Sequence, residues 1–207
     1  MRRLKIFLIC LFLLIVGFSL LRFSKFSGRQ EEAHQINAAC EAYRDEVSSE
    51  AAQYDMSKYV DLILAVMMQE SSGQGTDPMQ SSEGAYNTRY PQQPNGITDP
   101  SYSISCGIQE LKYALDKAGC TGPTDLSKIR LALQAYNFGA DSYFAYLEEN
   151  GQTVWTAQSA QAFAQMASGG TQRDEDDPLH DPAGPWDYGD QYYPDHVLRY
   201  YHLDNNS

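Results

Sequence analysis

A single carboxyl group stands where a proton-donating chemistry could be built. Glu70 closes a helical pattern in which Val60, Ile63, Leu64, Met67 and Met68 recur at three- and four-residue steps. At a hundred degrees per residue it falls between Ile63, Val66 and Met67 on the apolar stripe, so its carboxyl faces the interior or a cleft. Desolvation disfavours the charged form and raises the pKa, and a carboxyl still protonated near neutrality can act as a general acid. By position alone, a glutamate ending a helix could equally pair with a Lys or Arg.

Three short segments follow the same order as in a known superfamily. Gln69-Glu70-Ser71-Ser72-Gly73, Ser105-Cys106-Gly107-Ile108-Gln109 and Ala135-Tyr136-Asn137-Phe138-Gly139 resemble the goose-type lysozymes and lytic transglycosylases. There, a helix ending in Glu-Ser precedes a Gly-[Leu/Ile/Val]-[Met/Gln]-Gln-like helix start and an Ala-Tyr-Asn-x-Gly segment. Asp77-Pro78-Met79-Gln80-Ser81-Ser82-Glu83 further resembles the lysozyme-like domain of cell-wall hydrolases from Gram-positive conjugative elements. The likeness runs over about residues 43–201.

The resemblance implies a mostly α, lysozyme-like fold with an irregular groove lobe, and cleavage of the β-1,4 bond between N-acetylmuramic acid and N-acetylglucosamine in peptidoglycan. It implies Glu70 as catalytic acid and Ser71, Ser82, Gly107, Ile108, Gln109, Tyr136 and Asn137 as substrate-binding residues. Gly107 would let the sugar approach, or simply begin a helix; Gln109 offers an amide donor and acceptor to an N-acetyl group, or is a solvated helix position. Asn137 would contact substrate or cap the turn at Gly139. A second carboxyl is sought among Asp77, Glu83 and Asp99; Glu83 is preferred of the three because it lies in the resembled Ser-Ser-Glu segment, with an exposed loop acid as its equal alternative. A conjugation or secretion apparatus is the implied partner, and no cofactor is implied.

The elements that position these residues are helical. An amphipathic pattern from Ile36 to Tyr54 predicts one long helix, and the next should start near Asp55 or Ser57 and stop at Gly73. Residues 71–103 lack periodicity and are rich in Gly, Pro, Ser, Asn and Gln, which predicts a functional loop lobe. Helical spacing returns from Ile108 to Ala118, from Asp125 to Tyr136, after Gly139, from Thr156 to Ala167, and briefly near Asp195. If residues 107–118 are one helix, Cys106 and Cys120 stand at its two ends, too far apart for a disulfide. The tail aromatics Trp186, Tyr192 and Tyr193 are expected to pack.

A formal charge of −12 excludes a sequence-independent nucleic-acid binder, which needs clustered Lys and Arg to displace counterions. The histidines His34, His180, His196 and His202 lack metal-ligand spacing, so no metal is expected. Residues 6–21 are an unbroken apolar run flanked by Arg and Lys, an export signal or membrane anchor. The small-x-small site at Gly17-Phe18-Ser19 lies inside the run, which favours an uncleaved segment in the cell membrane, with an extracellular catalytic domain facing the wall. The expected organisation is 1–30 as anchor or signal with linker and 31–207 as catalytic domain with a C-terminal tail.

Overall fold

The long helix expected from Ile36 to Tyr54 is two helices. In a computed structural model, which describes residues 34–202, α1 (Ala38–Glu41) is capped by the Asn37 side chain and α2 (Arg44–Gln53) follows. The Tyr43 amide turns back to the Cys40 carbonyl three residues earlier, which tightens the chain and re-aims it. Neither Asp55 nor Ser57 caps the next helix. A 3₁₀ turn (Ser57–Tyr59) leads directly into α3 (Val60–Ser71).

Helix α3 is the centre of the core, with every side chain from Leu62 to Met67 buried. It ends at Ser72, which adopts the left-handed conformation at φ +55°. Gly73 follows at φ +73°, and a Cβ there would lie 2.8 Å from the Cys40 amide nitrogen. Glycine is therefore required both by φ and by the close approach of α1.

The irregular lobe runs over residues 72–99. Asp99 caps the Ser101 amide and Pro100 occupies the first turn of α4 (Pro100–Ala118). The lobe therefore ends before Ser103, and Gly107, expected at a helix start, lies in mid-helix. Next come α5 (Leu126–Phe138), α6 (Ala140–Glu149) and α7 (Ala157–Ala167), the last opened by a Thr156/Ser159 capping box. The short α8 (His180–Ala183) and α9 (Tyr193–Leu198) close the described chain. Phe138, Tyr143 and Phe163 pack ring on ring at 5.1 to 5.4 Å where α5, α6 and α7 meet. The fold is mostly helical, as expected.

Cys40, Cys106 and Cys120 are all free thiols, and Cys106 and Cys120 are joined by a continuous helix up to Ala118. The cell-membrane placement expected from residues 6–21 is corrected. No helix among the described residues is long and apolar enough to cross a membrane, and residues 6–21 themselves lie outside the described residues.

Candidate active site

The last turn of α3 sets Glu70 against a distant part of the chain. Tyr193 of α9 donates its hydroxyl to Glu70 Oε1 at 2.5 Å. Its ring stacks on Tyr136 of α5, with centroids 6.3 Å apart. Burial pushes the Glu70 carboxyl from 4.5 up to about 7; the Tyr193 bond works against this, and the charges of Asp190 and Asp77 add to it. Asp190 in turn meets His196 Nδ1 at 2.5 Å.

Tyr136 donates its hydroxyl to the Met79 carbonyl at 2.9 Å. Its ionisation is suppressed first by burial and then by the neighbouring Glu110 and Glu70 charges. Tyr136 and Glu110 both line a cleft of about 250 Å³. Glu83, Gly84, Ala85 and Tyr86 form one wall, and residues from the α5–α6 junction form the other. Glu83, exposed, projects from the first wall.

Asp77 holds the lobe together. Its carboxylate is 1 % exposed and accepts from the Ser81 and Ser82 amides and from the Ser82 and Ser103 hydroxyls. Ser82 Oγ also accepts the Ile97 amide, and the buried Met79 and Ile97 side chains anchor the lobe to apolar surroundings. This accounts for a lobe that is irregular yet well fixed: its backbone groups are satisfied by side chains instead of a ladder.

Several expected contact residues are occupied within the protein. Ser82 is buried in the Asp77 network, and Ile108 is fully buried in the core. Gly107 is buried too; a Cβ there would lie 2.6 Å from Met79 Cβ, so what approaches it is the lobe and not a sugar. Ser71 Oγ donates to the Pro78 carbonyl at 2.8 Å. Asn137 Oδ1 accepts the Asp190 amide at 2.8 Å and so ties the tail to α5. Of the acids weighed beside Glu83, Asp77 is fully engaged and Asp99 caps a helix. Gln109 bonds to the Ser105 carbonyl at 3.1 Å. It faces a second basin of about 540 Å³, on the other side of Ala85 and Tyr86 from the cleft.

Two residues of this neighbourhood escape a reading by motif. Tyr193 is 123 residues from Glu70 in sequence. Glu110 stands at the fourth position of the Gly-Ile-Gln pattern, where the superfamily pattern has Gln. Burial pushes its carboxyl up to about 7, against the Tyr86 amide, and the Asp77 and Glu70 charges add to the rise. The signal was that departure from the pattern: an acid in place of an amide, on the face of α4 turned to the lobe.

Known proteins agree with this architecture. The family model described as lysozyme-like matches residues 38–201. The chain is 35% identical over 173 residues to the bifunctional muramidase/DL-endopeptidase CwlT of Bacillus subtilis, covering 84% of this chain and 43% of that protein. It is 40% identical over 111 residues to the uncharacterized membrane protein YocA of the same organism, covering 54% and 45%. The crystal structure of a protein similar to lipoprotein, NLP/P60 family, from Staphylococcus aureus superposes with a TM-score of 0.68 at 26% identity, covering 84% of this chain and 56% of that one. The chain thus spans less than half the length of these curated relatives.

Proposed function

This chain belongs to the lysozyme-like family, and on that premise we propose that it hydrolyses the β-1,4 bond between N-acetylmuramic acid and N-acetylglucosamine in peptidoglycan, with Glu70 as general acid. One observation carries the reading: a carboxyl at the end of α3 raised by burial to about 7 and held by the hydroxyl of Tyr193, whose ring stacks on Tyr136 of the cleft lining. Near neutrality a large fraction of it is protonated, so it can give its proton to the leaving glycosidic oxygen. Tyr193 orients the carboxyl through Oε1, leaving Oε2 to carry the proton. The muramidase activity in the name of the Bacillus relative supports the same substrate class.

Glu83 is the proposed second group. Its exposed position on the cleft wall suits it to orient a water against the anomeric carbon, which favours a free reducing end over a 1,6-anhydro product. Tyr136 forms the cleft side next to the acid, and Gln109 would meet the glycan strand where it passes Ala85 and Tyr86. Residues 31–207 are the proposed catalytic unit. A conjugation or secretion machine is the proposed setting, by the resemblance alone.

The test is digestion of purified cell walls, followed by mass spectrometry of the released muropeptides. Wild-type protein should clear walls and give products carrying one added water, while Glu70→Gln should clear none with its fold retained. Clearing by Glu70→Gln at the wild-type rate would refute the acid. A digest dominated by anhydro-muramyl ends would refute the role of Glu83 and leave Glu70 in place.

A further inference from the structure

One face of α4 runs beneath the lobe and touches it at successive turns. Ser103 Oγ accepts the Met79 amide at 3.1 Å and donates to Asp77 Oδ1 at 2.6 Å. Cys106 Sγ, one turn on, donates to the Tyr86 carbonyl at 3.4 Å. Glu110, a further turn on, lies under Gly84: a Cβ built on Gly84 would stand 1.4 Å from Glu110 Oε1 and 2.4 Å from Cδ. No other residue type fits at position 84 while the carboxyl stays in place. The turn it presses on is closed by two bonds, Gly84 amide to Ser81 carbonyl and Asn87 amide to Gly84 carbonyl, both 3.2 Å. That turn carries Glu83 and Tyr86 into the cleft.

The contact is unusual in one respect. Glu110 Oε1 is sealed from solvent and has no hydrogen-bond partner among the described residues. A buried carboxyl oxygen without a donor is tolerable for a neutral acid and strongly unfavourable for a carboxylate, which would draw water in or move out. We propose that Glu110 is the positioning residue of the cleft wall, holding the 81–87 turn in place as the neutral acid and releasing it when ionised. This rests on the reading of the cleft as the substrate site only for its consequence, the placement of Glu83; the release itself is a property of the fold.

The acidic groups facing Glu110 agree in sign. Burial, and the charges of Asp77 in the lobe and Glu70 at the end of α3, raise its pKa, and a hydrogen bond from the Tyr86 backbone amide to the carboxyl opposes them. Glu83 shares the cleft wall, Tyr136 of α5 lies alongside, and Tyr113 and Asp141 line the cleft beyond, bonded to each other at 2.5 Å. Among the described residues no Lys or Arg lines the cleft, and Lys117 meets Asp141 at 2.6 Å from outside that lining. The carboxyl stands at about 7, so one pH unit above that value the ionised form outweighs the neutral form about tenfold.

Hydrogen–deuterium exchange of the full chain, read on peptides covering residues 81–90 and corrected for the intrinsic rate, tests this directly. Wild-type protection should fall about tenfold between roughly pH 6 and pH 8. Glu110→Gln, alike in shape and never charged, should stay protected at both values, and Glu110→Ala should be unprotected at both. Repeating the wild-type series with Glu70→Gln removes the other carboxyl that titrates near 7, and the fall should persist. That measurement reads no catalysis, so its outcome is independent of whether walls are cleaved. Should Glu110→Gln fail to fold, Gly84→Ala must raise exchange of the segment at pH 6 to the wild-type level at pH 8. Equal pH dependence in wild type and Glu110→Gln overturns the proposal, as does unchanged protection in Gly84→Ala.

Discussion

Replacing Glu70 by Gln should make the protein more stable in alkali while ending its activity. Burial raises the carboxyl from 4.5 to about 7 in the folded chain, so the folded state holds its proton more tightly than the unfolded state. A group of this sign contributes fully below about pH 4.5, and its contribution is lost as pH rises through about 7. At 1.36 kcal/mol per pH unit the difference amounts to about 3 kcal/mol. Gln accepts the same Tyr193 hydroxyl through its own Oε1 and never ionises. The Glu70→Gln protein should therefore match wild type near pH 4.5 and exceed it by about 3 kcal/mol at and above about pH 8, with part of that shared with the neighbouring Glu110. For a chain of this size the gain is a rise of roughly 6–12 °C in Tm. Urea unfolding at intervals between pH 4.5 and 8.5 reads it. A stability difference that stays flat with pH would show that Glu70 is not held protonated by its surroundings, and would remove the physical basis for its role as an acid.

The other predictions are each a single substitution. Tyr193→Phe removes the one bond that lowers the Glu70 pKa, so the alkaline limb of the wall-clearing pH profile should move to higher pH even as the rate falls; a shift to lower pH contradicts the assignment. Asp77→Ala removes a buried acceptor used by four donors, and should cost about 3–5 kcal/mol in denaturant unfolding. Gly107→Ala sets a methyl 2.6 Å from Met79 Cβ and should cost about 1–3 kcal/mol by overpacking. A neutral effect on stability with lost substrate affinity would restore its reading as a sugar contact.

What the sequence made legible was local. The 3.6-residue period of Val60, Ile63, Leu64 and Met67 locates α3 and sets Glu70 on its buried face, because helix periodicity and burial act within a few residues of each other. The composition of residues 71–103 marks the lobe for the same reason, and Asp99-Pro100 trims it. The motifs, by contrast, blended two kinds of residue. Ser82, Gly107 and Ile108 belong to the same segments as the cleft, yet they stand behind it, serving the fit between lobe and helix. A pattern records that a position is constrained and not on which side the constraint lies. Tyr193 was out of reach, and for Glu110 the departure from the pattern marks the residue but not its role, because their surroundings come from α3 and from the 81–87 turn. Both contacts depend on tertiary packing.

Tyr193 has a consequence for the order in which the site comes into being. The acid is made early in the chain, and the hydroxyl that orients it arrives 123 residues later, on a helix tied back through Asn137 and Asp190. Closing so long a loop is among the last entropic costs of folding. During synthesis Glu70 is therefore added well before Tyr193, the residue that bonds it. The surroundings of Glu70 are completed only when the tail docks, so a nascent or C-terminally clipped chain carries the carboxyl without its hydroxyl partner.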